Sequence, residues 1–169
     1  MAKRRIFTND AECLYVKCKP VKNFDKRLAT LLDDMAETMY AAEGAGLAAP
    51  QVGILRRAVV IDAGDGLVEL VNPEVLEASG EQGCFEGCLS FPGERGYVVR
   101  PDYVRVRAMD RAGNAREYEA QGLFARAVLH ECDHLDGLIY KRLVTEPPEG
   151  YDEQEAEGAE GTEEAEASE

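Results

Sequence analysis

His130-Glu131-Cys132-Asp133-His134 holds the two histidines of the chain, four residues apart. Two histidines placed at random over 169 residues land at that spacing about once in a hundred times, and here a glutamate follows the first. In a helix, residues four apart share a face, one above the other. Two imidazoles so placed can hold one metal ion. Glu131 then sits about 100° round the helix from His130, within reach of a water beside that ion. The spacing predicts a metal site with a general base attached. The competing reading is plain helix surface, because HExxH matches also arise by accident.

The flanks support a helix. From Gly122 to Leu135, Leu123, Phe124, Ala127, Val128 and Leu135 are available for burial, and Gly137 supplies a stop. A second amphipathic helix is predicted from Asp25 to Glu43. Leu28, Leu31, Leu32, Met35 and Met39 recur at helical spacing there, with Asp25 as N-cap and Gly44 as stop. Two glycines and a proline then argue against a regular element in Gly44-Ala45-Gly46-Leu47-Ala48-Ala49-Pro50-Gln51. Arg57–Asp62 and Leu67–Val71 are strand-like, and Asn72-Pro73 is expected to end the second. Residues 74–85 are weakly patterned, and Pro92-Gly93 reads as a turn. Tyr97–Arg100 and Tyr103–Met109 read as strands, and Ala112-Gly113-Asn114 turns the chain back through Ala115–Ala120 as a hairpin. Residues 1–20 read as an irregular lead-in with room for a strand.

Composition narrows the class. The length suits one domain with a real core. No apolar run approaches the ~20 residues that span a membrane. Only Ile6-Phe7 follows the basic start, so no secretory apolar region is present and the expected compartment is the cytoplasm. Five cysteines, at 13, 18, 84, 88 and 132, are an odd number, which favours thiol or metal roles over a disulfide framework. Cys13 and Cys18 read as plain thiols. The net charge of −14 comes mostly from one end: residues 143–169 carry eleven acids and no Lys or Arg, and without them 22 acids face 19 bases. The division expected is a catalytic domain over 1–145 and an acidic, disordered tail over 146–169, whose Glu, Ala and Gly cannot build a core. A nearly neutral domain lacks the basic footprint of a nucleic-acid binder.

Two histidines bind a metal weakly, so a third ligand must come from elsewhere, as a carboxylate or a thiolate. Cys88 lies between Gly87 and Leu89, where flexible backbone can bring it close to a neighbouring element. Cys84 also adjoins a glycine, and Cys84 with Cys88 and both histidines would make a closed structural zinc site.

Three segments resemble the peptide deformylase family in order and approximate spacing. They are Gly44-Ala45-Gly46-Leu47-Ala48-Ala49-Pro50-Gln51, Glu86-Gly87-Cys88-Leu89-Ser90 and His130-Glu131-Cys132-Asp133-His134-Leu135-Asp136-Gly137. They match the family's GxGLAAxQ, EGCLS and HExxH motifs, and the resemblance covers roughly residues 5–142. It implies an α+β fold, with antiparallel β-sheets packed around a central HExxH-bearing helix and a second amphipathic helix near the N-terminus. It implies one divalent metal ion per chain, commonly Fe(II), with Zn(II), Ni(II) or Co(II) as replacements. The implied reaction removes the formyl group from the N-terminal formylmethionine of new polypeptides and releases formate.

By the same resemblance, Cys88, His130 and His134 are the metal ligands and Glu131 moves the proton. Gln51 and the Leu89 N–H receive the oxyanion. Gly44, Gly46, Arg95, Leu123 and Ala127 bind substrate, with Cys84 beside the methionine pocket. Arg100 and Asp133 pair to steady the metal helix. Other readings stay open: core packing for Leu123, Ala127 and Cys84, and a surface ion pair for Arg100 and Asp133. So do two other functions: a zinc endopeptidase, and a metal or formyl-peptide binder without activity. The implied partners are N-formylmethionyl peptides, with nascent chains on the ribosome as their source. Some family members dock there through a basic C-terminal helix. The acidic segment of this chain should instead be repelled by RNA, so that docking mode is not expected. No membrane partner and no direct nucleic-acid binding are expected.

Overall fold

Asp25 opens the first helix. Its carboxylate accepts a hydrogen bond from the Leu28 N–H at 3.1 Å, satisfying a donor that a helix N-terminus leaves open. In the computed structural model, which describes residues 2–155, α1 runs Lys26–Ala41. Leu28, Leu31, Leu32, Met35 and Met39 are all buried on it. Glu43, rather than Gly44, takes the left-handed conformation that ends the helix, at φ +56°. The Gly44 N–H closes back on the Met39 carbonyl at 3.0 Å.

Strands β1 (Gly46–Ala48), β2 (Ala58–Ile61) and β3 (Val68–Ser79) begin the larger sheet. Strands β4 (Gln82–Cys88) and β5 (Phe91–Arg100) form a hairpin in a second sheet. Strands β6 (Tyr103–Met109) and β7 (Ala115–Gln121) return to the first, and α2 (Gly122–Leu135) follows. A short β8 (Val144–Thr145) pairs with β5. The sheet orders are β1-β2-β3-β6-β7 and β4-β5-β8, and every strand pair is antiparallel. The fold is α+β, as expected.

Strand β2 is buried on both faces, which explains its unbroken Ala58-Val59-Val60-Ile61 run. Ala58 and Val60 pack with α1. Val59 and Ile61 pack with α2 through Ala125, Val128 and Leu135. The HExxH helix therefore has the larger sheet on one side and the β4–β5 hairpin on the other. A third cluster, including Leu14, Phe91, Val98 and Tyr140, seats the lead-in against that hairpin.

The stretch expected to lack a regular element has two short ones, because Gly46–Ala48 pairs with β2 and Ala49–Val52 makes a 3-10 turn. Three further expectations change. Asn72-Pro73 does not end a strand, since β3 passes through it with a register shift between Val71 and Glu74. Asn72 adopts φ +51°, and its side-chain amide exchanges hydrogen bonds with the Val21 backbone at 2.7 and 2.9 Å. The missing N–H of Pro73 falls in this bulge, where no ladder bond is lost. Pro92-Gly93 is likewise inside β5. Pairing jumps from Gly87–Arg95 to Cys88–Phe91 and leaves 92–94 bulged. The chain reverses at Leu89-Ser90 instead. Third, the acidic segment meets the domain. The Tyr151 ring lies 5.0 Å from Tyr97 and 6.0 Å from Phe85, and Glu153 pairs with Arg95 at 2.5 Å. A single aromatic ring supplied the contact that aliphatic content did not promise. The remainder of the expected tail, 156–169, lies outside the described residues. Among those described, no helix is long and apolar enough to cross a membrane.

Leu32 is fully buried between α1 and the sheet. Leu32→Ala should lower stability by about 2–5 kcal/mol, read in urea as a lower midpoint at unchanged slope.

Candidate metal centre

Helix α2 carries His130 and His134 on one face, their ring centroids 5.0 Å apart. The end of β4 brings Cys88 to them, with Sγ 3.3 Å from His134 Nε2. One ligand atom from each of the three residues lies within 4.8 Å of the others. Bonds of about 2.1 Å to nitrogen and 2.3 Å to sulfur give tetrahedral edges of about 3.4–3.6 Å, so the spacing suits one ion. Cys84 is outside this group. It lies two residues before Glu86 on β4, opposite Val98. The four-ligand alternative with both cysteines is therefore not assembled.

A buried atom beside the cluster points to an occupant. Glu131 Oε2 is buried with no hydrogen-bond partner among the described residues. Orphaned polar atoms of this kind are rare in native proteins. In the protein alone, burial pushes the Glu131 carboxyl up to about 7. Burial, with the nearby charges of His130 and Arg100, holds His134 well below its ordinary value. A neutral imidazole is the form that ligates. At His130 burial opposes the charge, but Cys88 and Glu86 push it up to about 10. A metal must displace that proton to bind.

Glu86 was absent from the sequence-based site. Its carboxylate is buried and touches His130 Nδ1, which leaves Nε2 for the cluster. It also accepts from Arg100 Nη2 at 2.7 Å, Arg100 Nε at 2.9 Å and Arg126 Nη1 at 2.6 Å. Burial works against its charge, but the His130 and Arg100 contacts outweigh that and keep it well below the usual carboxylate range. Arg126 was missed as well, though its place four residues before His130, on the face of the two histidines, was a usable signal. Arg100 and Asp133 do meet, at 3.1 Å, and Asp133 also pairs with Arg142 at 3.0 Å.

Gln51 is buried, in a short 3-10 turn over Ala49–Val52. Its Oε1 accepts from the Ala48 N–H at 2.9 Å. Its Nε2 donates to Ser90 Oγ at 3.1 Å and lies 3.6 Å from Cys88 Sγ. Ser90, also missed, thus aims the amide at the cluster. Leu89 occupies the turn after Cys88, and a Cβ on Gly44 would come within 2.6 Å of its side chain. A Cβ on Gly46 would lie 2.7 Å from Glu131 Oε1. Both glycines thus permit close approach to site residues. Ala127 is buried one turn before His130, whereas Leu123 is 48% exposed at the head of the helix. Arg95 stands on β5 opposite Gly87, facing Glu153 and the Phe85 carbonyl.

Two imidazoles, one thiolate and a buried glutamate on an antiparallel α+β fold define a metal-dependent hydrolase. A family model described as polypeptide deformylase matches residues 3–147, and the chain belongs to that family. It is 57% identical over 140 residues to the peptide deformylase of Caldicellulosiruptor bescii, covering 83% of this chain and 84% of that one. A crystal structure of peptide deformylase from Thermotoga maritima superposes with a TM-score of 0.85 at 38% identity, covering 86% of this chain and all of that one. A Met-Ala-Ser-bound peptide deformylase from Acinetobacter baumannii gives 0.81 at 33% identity, covering 85% and 99%.

Removing the Glu86 carboxylate leaves the buried Arg126 guanidinium without an acidic partner and Arg100 with Asp133 alone. Glu86→Ala should cost about 3–5 kcal/mol of stability and lower metal content, measured by thermal unfolding and elemental analysis.

Proposed function

We propose that this chain hydrolyses the N-formyl group of peptides beginning with formylmethionine, releasing formate and a free amine. One observation carries the mechanism: the orphaned Glu131 oxygen lies beside a cluster of two imidazoles and one thiolate. An ion on Cys88, His130 and His134 would supply Lewis acidity and a water acidified toward neutral pH. Fe(II) is the ion we propose, with Zn(II), Ni(II) or Co(II) as replacements. Imidazole accommodates each, and the thiolate softens the set.

The chain's own groups do the rest. Glu131 accepts the proton of the attacking water and hands it to the departing amine. Its burial keeps it close to both without bulk water between. Gln51 Nε2, held by Ser90, donates to the oxyanion as it forms. The Leu89 N–H is the second donor. A formyl carbon bears only hydrogen, so attack is unhindered. Ala127, Leu123 and Cys84 border the methionine side chain, and Gly44, Gly46 and Arg95 border the peptide backbone. Arg100, Asp133 and Glu86 hold α2 and the His130 ring in place. The Acinetobacter relative was solved with Met-Ala-Ser bound, and a chain beginning with methionine is what deformylation leaves. The substrates are nascent chains in the cytoplasm. Residues 1–145 form the catalytic unit, since every group named here lies within it.

The deciding assay is anaerobic turnover of a formyl-Met peptide by protein loaded in parallel with Fe(II), Zn(II) and Ni(II). Glu131→Ala should retain metal and lose about 10²–10⁴ in kcat. Cys88→Ser should lose metal as well, because a hydroxyl is a poor ligand. Activity surviving within a few-fold in Glu131→Ala would remove that residue from the mechanism. In air, the Fe(II) form should lose activity faster than the Ni(II) form, since ferrous ion oxidises readily. Equal half-lives would argue against iron.

A further inference from the structure

Arg95 is the cation proposed above for the peptide backbone, and a later stretch of the same chain already rests on it. The chain leaves the β5 edge at Thr145. Pro147 and Pro148 then restrict the backbone, and Gly150 takes φ +83°. The Tyr151 N–H closes a turn on the Pro148 carbonyl at 3.0 Å. That turn carries the chain back onto the β4–β5 hairpin. Tyr151 and Glu153 are partly buried there, whereas Asp152 and Gln154 are exposed, so one face of the stretch is seated. The Tyr151 ring stands edge-on to Tyr97 at 5.0 Å and lies 6.0 Å from Phe85. Glu153 Oε1 is 2.5 Å from Arg95 Nη1. Arg95 Nη2 donates to the Phe85 carbonyl at 3.4 Å, and the guanidinium lies 6.0 Å from the Phe85 ring. Phe85 thus supports both contacts, and each terminal nitrogen of Arg95 already has an acceptor.

We propose, on the basis of the deformylase activity argued above, that Tyr151 and Glu153 set the preference among peptides. Glu153 is a displaceable stand-in for the substrate at Arg95. Arg95 pairs with Gly87, the residue before Cys88, and paired residues in a sheet lie about 4.5–5.5 Å apart. A peptide whose formyl group sits at the cluster therefore passes Arg95 within its first few residues, at about 3.3 Å per residue. A neutral peptide offers Arg95 a carbonyl, which is a weaker acceptor than the Glu153 carboxylate. Glu153 thus raises KM for neutral peptides long enough to reach Arg95 and spares shorter ones. A half-exposed ion pair holds weakly by itself. The two ring contacts of Tyr151 supply the rest of the hold. Neither residue belongs to the ligand cluster or to the Glu86 ion pairs, so the selection acts on binding and leaves turnover alone.

Steady-state kinetics of the full-length Ni(II) protein on C-terminally amidated peptides test this. Glu153→Gln should lower KM for formyl-Met-Ala-Ser-amide about two- to fivefold, the range an exposed ion pair supports. Its kcat, and its KM for formyl-Met-amide, should match the unaltered protein. Tyr151→Ala should act in the same direction, and the double variant should add nothing, because the two residues work as one strap. At 1 M salt, where the screening length is about 3 Å, the unaltered protein should approach Glu153→Gln. A second measurement follows the strap directly. In protein labelled with 3-fluorotyrosine, the Tyr151 resonance, assigned among seven tyrosines by its loss in Tyr151→Phe, should move toward its unfolded position as Met-Ala-Ser-amide saturates the site. Equal KM values in all variants overturn the inference, as does an equal drop for the short and the long peptide. A Tyr151 resonance that stays in place in peptide-saturated protein overturns it too. Turnover with an unchanged KM pattern removes this inference alone. No turnover of any peptide by the unaltered protein removes the deformylase reading and the inference with it.

Discussion

The Glu86 carboxylate is the contact on which the rest of the site depends. It is buried, and it joins three elements by holding Arg100 of β5, Arg126 and His130 of α2 from its own place on β4. An unpaired charge at such depth would be expensive, so each partner is needed to keep the others. The network does more than stabilise. It selects which His130 nitrogen faces Cys88, and it locks the β4–β5 hairpin against the metal helix. Arg126 extends the lock by donating to the Gln82 and Val98 carbonyls, both at 3.0 Å. Ligand distances within the cluster follow from this clamp, because Cys88 belongs to the same strand as Glu86.

A second clamp works from the opposite direction. The turn carrying Gln51 follows β1, and Gly44 and Gly46 let that segment approach Leu89 and Glu131 more closely than any side chain would permit. Ser90 fixes the Gln51 amide from the hairpin side. The proposed oxyanion donor, Gln51, and the proposed third metal ligand, Cys88, are thus positioned by one turn, Leu89-Ser90. Pre-set donors of this kind act without reorganising during the reaction. The bulge at Pro92–Glu94 takes up the extra residues that let β5 return from that turn in register.

The acidic segment alters the picture of the peptide-facing side. Arg95, the cation expected to hold substrate backbone, meets Glu153, and Tyr151 rests on Tyr97 and Phe85 of the same hairpin. If Arg95 holds substrate backbone as proposed, a peptide and Glu153 would compete for one guanidinium. That pair is half exposed and is worth little by itself.

Much of this was legible in the residues. Helical periodicity located α1 and α2, and alternation located β6, because these elements bury one face and the pattern repeats along the chain; the Ala112-Gly113-Asn114 turn located β7. The spacing of His130 and His134 placed both imidazoles on one helix face for the same local reason. Pro-containing dipeptides misled at Asn72-Pro73 and Pro92-Gly93, since a bulge can absorb a missing N–H without ending a strand. Four matters were settled by tertiary structure. These were the grouping of Cys88, rather than Cys84, with the two histidines, the Glu86 clamp, the Ser90 hold on Gln51 and the seating of Tyr151. Each joins residues distant in sequence: 44 positions separate Glu86 from His130 and 46 separate Cys88 from His134. No local propensity encodes such a meeting. It follows only once two sheets have closed on one helix and made burial of these charges conditional on their pairing.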